Sequence, residues 1–248
     1  MRPRFPCHTG SLLGILTAMV LAFTAAPAVA MTGPVVTPSI IDGSPASEDY
    51  PWMTALLGPG GGQFCGGTLV KPTWVLTATH CIQGDPRITL RVGSKFHDSG
   101  GEVAKAAYTV TGSADLTLIK LDHAVTAAPL PLVDSTPAAG TPVRVLGWGS
   151  TCKPGTSCFP RDLRELDTTI APDSGCRTVD PNWELCVAAS NGKGACYGDS
   201  GGPFLVKLAT GWRVGGSASR LGGQGCGGTV VYSNVVDQRA FIDRFTQT

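Results

Sequence analysis

The chain has 248 residues, of which only 15% are charged, and it carries 33 glycines, 19 prolines and a formal net charge of +1. Such a near-neutral balance gives no electrostatic case for binding nucleic acid or an anionic membrane. Little helical periodicity accompanies the glycine and proline, so size and composition fit one all-β domain or a pair of small barrels.

Arg2 and Arg4 open the chain, an apolar core runs over residues 12–26, and Ala28-Val29-Ala30 supplies a small-residue cleavage site. This is the pattern of a secretory signal peptide over residues 1–30. A membrane anchor is the competing reading, but the apolar run is shorter than the roughly 20 residues a spanning helix needs. The remainder is expected to be soluble, extracellular and free of the membrane. Cleavage removes two basic residues and no acidic one, leaving 17 against 18 and a net charge of −1. Cys7 leaves too, and the eight remaining cysteines form an even set in an oxidising compartment, which argues for disulfides. No C-x-x-C pair or His-x-x-x-His spacing supports zinc, and no metal or other cofactor is expected. Spacing alone leaves the disulfide pairing open.

Residues 31–39, with Pro34 and Pro38, read as a short propeptide. Ile40-Ile41-Asp42-Gly43 and then Tyr50-Pro51-Trp52 follow, in the manner of a strand start. Short β-rich runs then alternate with turns: residues 53–57, the glycine cluster 58–62, residues 67–70, and Trp74-Val75-Leu76-Thr77. The last run leads into Ala78-Thr79-His80-Cys81. A lone histidine is usually structural, but one beside a cysteine after an apolar strand is a candidate base. His97 and His123 lack that setting and read as surface residues.

Residues 87–93 and 102–110 read as further strands. Asp115 precedes the alternating apolar run Leu116-Thr117-Leu118-Ile119-Lys120-Leu121, where turn chemistry alone would also account for it. Asp122, beyond that run, is the weaker candidate. Residues 125–142, rich in proline and alanine, read as a linker. Strands are expected again at 143–149, 163–170 and 184–187, with Cys152 and Cys158 in the loop 150–162. Near the end, Asp237 can cap a helix over residues 237–246 whose apolar positions Ala240, Phe241 and Phe245 recur at helical spacing.

Between the last strand and that helix lies Cys196-Tyr197-Gly198-Asp199-Ser200-Gly201-Gly202-Pro203. A serine hydroxyl becomes a useful nucleophile only beside a base, and the oxyanion it creates needs backbone N–H groups aimed at it. A bare G-x-S-G is equally a glycine-rich turn. The full string GDSGGP is more specific and resembles the active-site loop of trypsin-like (chymotrypsin-family) serine proteases. Other stretches align with it. VLTATHC is similar to the family's VLTAAHC, ADLTLIKL to D-I-A-L-(I/L)-K-L, VRVLGWG to V-x-G-W-G, and IIDG to the mature N-terminus Ile-Val-Gly-Gly. The resemblance covers nearly all of the chain after residue 39 and keeps the order His, Asp, Ser.

The resemblance implies an all-β fold of two antiparallel six-stranded β-barrels, at about 40–124 and 143–236 of a protease domain spanning 40–248, with a C-terminal α-helix and the site between the barrels. It implies a monomeric secreted serine endopeptidase. Ser200 would attack the peptide carbonyl, His80 would carry the proton, Asp115 would orient His80, and the N–H groups of Gly198 and Ser200 would bind the oxyanion. It implies the disulfides Cys65–Cys81, Cys176–Cys186 and Cys196–Cys226, leaving Cys152 to pair with Cys158. A cut after Ser39 would free the ammonium of Ile40 to pair with Asp199, although Ser39 is not the Arg or Lys that a trypsin-like activator recognises.

Gly194, six residues before the nucleophile, is expected at the floor of the specificity pocket, where it offers no carboxylate to a buried Arg or Lys. Ala195 and Ser219 complete the pocket, with Leu221 and Val230 as aliphatic walls, which favours small aliphatic substrate residues. Lys193 or Arg220 reaching in would favour an acidic residue instead. Expected partners are peptide or protein substrates and protein protease inhibitors. An inactive homologue serving as a secreted binding protein would keep the same fold and disulfides but usually loses a triad residue, and none is lost. A β-sandwich binding module would explain the disulfides but not the ordered triad.

Overall fold

The structure is a computed structural model that describes residues 40–41, 43–83, 87–152 and 158–247. The expected signal peptide (1–30) and propeptide (31–39), with Cys7 and Ser39, lie outside the described residues. After a two-residue strand β1 (Ser44–Pro45) come β2 (Met53–Leu57), β3 (Gln63–Lys71), β4 (Trp74–Ala78), β5 (Thr89–Val92), β6 (Glu102–Thr111) and β7 (Leu116–Leu121). These six close into an antiparallel barrel in the order β2-β3-β4-β7-β6-β5. Closure leaves no unpaired strand edge.

Strand periodicity explains why even fully buried strands such as β2 and β4 carry apolar residues on both faces. Leu56, Val75, Leu90, Ala104 and Ile119 point into one cluster inside the barrel. Their neighbours Ala55, Trp74, Leu76 and Leu118 point the other way, into a larger cluster shared with the second half.

That half contains β8 (Pro142–Gly147), β9 (Arg164–Thr169), β10 (Glu184–Val187), β11 (Pro203–Leu208), β12 (Gly211–Leu221) and β13 (Val230–Asn234). They form an antiparallel sheet in the order β1-β9-β8-β11-β12-β13-β10. A bridge between Ile170 and Val187 brings the end of β9 to β10, so these six strands come full circle through a single bridge.

The first barrel begins at Met53, not at residue 40 as expected, because β1 pairs with β9 of the second half. An ionic cluster fixes it there. Glu165 accepts hydrogen bonds from the Ser47 hydroxyl and the Tyr50 hydroxyl, each at 2.6 Å, and lies 3.2 Å from the Arg144 guanidinium. Arg144 also forks onto Asp167 at 2.7 and 2.8 Å. The segment read as a linker is a strap tied to both halves. Leu130 N–H donates to the Leu69 carbonyl at 2.8 Å and Val133 N–H to the Val214 carbonyl at 3.0 Å.

The C-terminal helix α1 (Arg239–Thr246) starts two residues later than expected, with Gln238 at its N-cap and no side-chain cap bond. Asp237 instead accepts from Asn234 Nδ2. The helix buries Ile242, while Ala240 is exposed and Phe241 and Phe245 are half-buried against the core. One prediction concerns Phe204, a fully buried ring packed edge-on to Tyr232 at 5.3 Å. Phe204→Ala should cost about 3–5 kcal/mol of stability, read from urea unfolding with the disulfides intact.

Candidate active site

His80 lies in the 3₁₀ turn Thr79–Ile82 at the end of β4. Its Nδ1 is 2.7 Å from Asp115 Oδ2, and its backbone N–H donates to Asp115 Oδ1 at 2.9 Å. With Nδ1 so engaged, Nε2 is the ring nitrogen left for proton transfer. Ser219 of β12 donates its hydroxyl to Asp115 Oδ2 at 2.7 Å. Burial pushes the Asp115 carboxyl up, but hydrogen bonds from His80 and Ser219 outweigh it and hold the group below the usual carboxylate range.

Asp115 and its neighbour Ala114 have φ of 60° and 47°, a left-handed region that residues other than glycine rarely occupy. Contacts from elsewhere hold the turn. Thr79 N–H donates to the Asp115 carbonyl at 3.0 Å, and the Ser233 hydroxyl of β13 donates to the Ala114 carbonyl. Strain of this kind persists only where the surroundings over-determine it.

Ser200 is carried on a loop whose carbonyls and amides are largely committed. Gly66 N–H donates to the Ser200 carbonyl at 2.7 Å, Gly201 N–H to Ala218 at 2.7 Å, and Gln63 Nε2 to the Gly198 carbonyl at 2.8 Å. Gly201 has a φ of +77°, and a Cβ there would lie 2.2 Å from Thr77 Oγ1, so the close approach of the two halves admits only glycine. By contrast, the N–H groups of Gly198 and Ser200 donate to no protein group among the described residues. They are available to a developing oxyanion. Ser200 and His80 line the same cavity. Among the described residues no hydrogen bond joins the two side chains, and contacts of this type are often completed only by substrate.

Asp199 is buried behind Ser200. Its carboxylate accepts from Gly149 N–H at 2.7 Å and Cys196 N–H at 2.9 Å. A Cβ on Gly147 or Gly149 would lie 2.0 or 2.4 Å from that carboxylate, so both glycines of the VLGWG strand end serve as room for it. It has no ionic partner among the described residues, and burial pushes its pKa up to about 7. Ile40 is fully buried, and Ile41 bridges to Gly194.

The cavity of about 350 Å³ beside Ser200 is lined by Ala195, Ser219, Leu221 and Val230, and also by Tyr197, Asp199 and Arg220. Gly194 lines a small adjoining space of about 10 Å³ that shares Ala195 and Val230 with the cavity, and a Cβ there would meet the Gly228 carbonyl at 2.7 Å. The Arg220 guanidinium is already committed. It grips both oxygens of the buried Glu184 at 2.5 and 2.7 Å and donates to the Thr178 carbonyl at 2.6 Å. Lys193 closes a tight hairpin with Ser190 and does not line the cavity.

All four disulfides form: Cys65–Cys81, Cys152–Cys158, Cys176–Cys186 and Cys196–Cys226. Asp122 is remote from His80 and holds His123 at 2.8 Å. His97 is half-buried, not a surface residue, with a buried Nδ1 lacking a partner. Sequence reasoning missed Gln63 and Glu184; the signal for Glu184 was an acidic residue inside the otherwise apolar run ELCV.

Two antiparallel β halves that bring Ser200 and a histidine backed by an aspartate to one cavity fit the class of serine proteases. The particular family follows from comparison. A family model described as Trypsin matches residues 40–242, and the chain belongs to that family. Among curated relatives, a trypsin of Sarcophaga bullata is 30% identical over 79% of this chain and 84% of its own. Human kallikrein-14 is 30% identical over 79% of each. Among solved structures, mouse neuropsin, a serine protease, aligns with a TM-score of 0.68 at 26% identity over 78% of this chain and 93% of its own. Human heparin binding protein aligns at 0.71 and 27% identity over 84% and 97%.

The bonds to Asp115 predict a pH dependence. A carboxyl whose folded pKa is depressed stabilises the fold above its unfolded pKa of about 3.9, and that contribution disappears as pH falls through the lower folded value. Asp115→Asn should therefore flatten the acid limb of the melting-temperature profile below about pH 4 relative to wild type.

Proposed function

We propose that the protein is a secreted endopeptidase working through Ser200, His80 and Asp115, with the Gly198 and Ser200 N–H groups as the oxyanion site. The observation that carries this reading is the His80–Asp115 bond of 2.7 Å beside a serine whose own N–H and that of Gly198 donate to no protein group among the described residues. His80 Nε2 takes the Ser200 proton as the hydroxyl attacks the substrate carbonyl, and Asp115 stabilises the imidazolium that results. The two free N–H groups hold the tetrahedral oxyanion. His80 then gives its proton to the leaving amine, and water repeats the sequence to release the acyl group.

Residues 1–30 act as the signal peptide and 31–39 as the propeptide in this reading. Likeness to a snake venom serine protease at 34% identity accords with secretion. A cut before Ile40 frees an ammonium for Asp199, and the complete burial of Ile40 supports that role. Activity as a monomer, with protein inhibitors as further partners, completes the proposal. The heparin binding of one structural neighbour suggests a non-catalytic alternative. Intact His80, Asp115 and Ser200, and a near-neutral charge, weigh against it.

For specificity we infer small aliphatic side chains before the scissile bond. Leu221 and Val230 narrow the pocket, its one carboxylate among the described residues, Asp199, is already held by the Gly149 and Cys196 amides, and Glu184 occupies the Arg220 guanidinium.

Ser200→Ala and His80→Ala should each abolish nearly all cleavage without unfolding the chain, and the double variant should be little worse than either. Losses that multiply would count against a concerted unit. A chromogenic series varied at the residue before the scissile bond should run fastest with Ala or Val. Each fitting methylene should be worth about 1–3 kcal/mol. Glu fastest would mean that Arg220 leaves Glu184, and Arg or Lys fastest would overturn the pocket assignment.

A further inference from the structure

Arg164 opens β9 and is 6% exposed, yet its Nε and Nη1 are buried with no hydrogen-bond partner. A guanidinium is effectively always charged, and a buried charge without a partner is strongly unfavourable. Asp199 is the complementary case, a buried carboxylate held by two amide N–H groups and by no cation among the described residues.

Register makes the two neighbours. Arg164 stands directly opposite Gly147 in the β8–β9 pair and opposite Pro45 on β1, which covers its other side. Residues directly opposite in an antiparallel pair project to the same face, with Cβ positions about 5 Å apart. Gly147 has no Cβ, and the position it would take lies 2.0 Å from Asp199 Oδ1. The Asp199 carboxylate thus fills the place of the side chain that would face Arg164 across the strand pair. The three-methylene stem of an arginine can span that gap. In this structure the two groups do not pair.

We propose that Arg164 is a resident counter-ion for Asp199, closing onto the carboxylate in the uncut chain and holding the nucleophile loop in working shape before any new N-terminus exists. The proposal rests on the reading of Asp199 as partner of the Ile40 ammonium, and deepens it. The absence of Arg or Lys at position 39 then ceases to be an obstacle, because a working loop would not wait for the cut. Arg164 touches no substrate and acts only through Asp199, as a positioning residue.

The test compares the chain whose N-terminus lies upstream of Ile40, verified by mass spectrometry before and after assay, with the chain beginning at Ile40. Each carries Arg164, Arg164→Gln or Arg164→Lys. The readouts are the rate of Ser200 labelling by a fluorophosphonate, kcat and KM on a peptide substrate, and melting temperature. In the uncut chain Arg164→Gln should slow labelling on the order of a hundredfold, through kcat, while Arg164→Lys retains most of the rate. The cut enzyme should be little changed by either. Three outcomes overturn the proposal: an uncut wild-type chain that does not label, an uncut Arg164→Gln chain that labels normally, or equal losses in both forms. Should the Gln variant fail to fold, Arg164→Met removes the charge with a side chain suited to irregular space and carries the same comparison. Carbamylating the Ile40 amine of the cut enzyme tests the underlying reading separately. Full activity after that treatment removes the Ile40–Asp199 pair whatever Arg164 does.

Discussion

The structure turns on how a carboxylate can be kept out of water beside Ser200, the proposed nucleophile. Asp199 sits there with two amide donors, and every feature of its surroundings makes space for it or aims at it. Two glycines at the end of β8 clear the volume, the Cys196–Cys226 disulfide anchors the loop that carries it, and the buried Ile40–Ile41 segment packs beside that loop. The desolvation of one charge is thereby linked to the shape of the loop holding Ser200, and any cation that reaches Asp199 favours that shape. Electrostatics and catalytic geometry are a single problem at this point in the fold.

A second dependence runs across the two halves. His80 and Asp115 belong to the first barrel, yet the turn that strains Asp115 into left-handed backbone is held by Ser233, and its carboxylate by Ser219, both from the second half. Ser200 belongs to the second half, and its carbonyl is held by Gly66 from the first. Neither half contains a working constellation alone. The strap tied at Leu69 and Val214 keeps them in register.

Much of this was legible in the sequence because the chemistry demands particular residues in fixed local order. GDSGGP, VLTATHC and the aspartate before LTLIKL marked the three polar groups, and short β-rich runs between turns marked much of the first barrel, with alternation at β7. The strands β11 to β13 were harder to read. Gly211, Gly215 and Gly216 interrupt the alternation, and the bulges between Phe204 and Leu205 and between Ala218 and Arg220 shift its phase. The pairing of β1 with β9 left no local trace, since its cause is the cluster of Ser47, Tyr50, Arg144 and Glu165, which meets only in three dimensions. Asp237 looked like a cap because its residue type suits one, but Asn234 claimed its oxygen.

The same pairing of β1 sets a sequence of events in time. Ser47 and the Glu165 that receives it are 118 residues apart, so the segment around Ser47 and Tyr50 has no place to dock until β9 has followed. Synthesis order and assembly order are inverted for this stretch. The segment that packs beside the Ser200 loop is made before the strand that seats it, so a half-finished chain lacks the completed cleft.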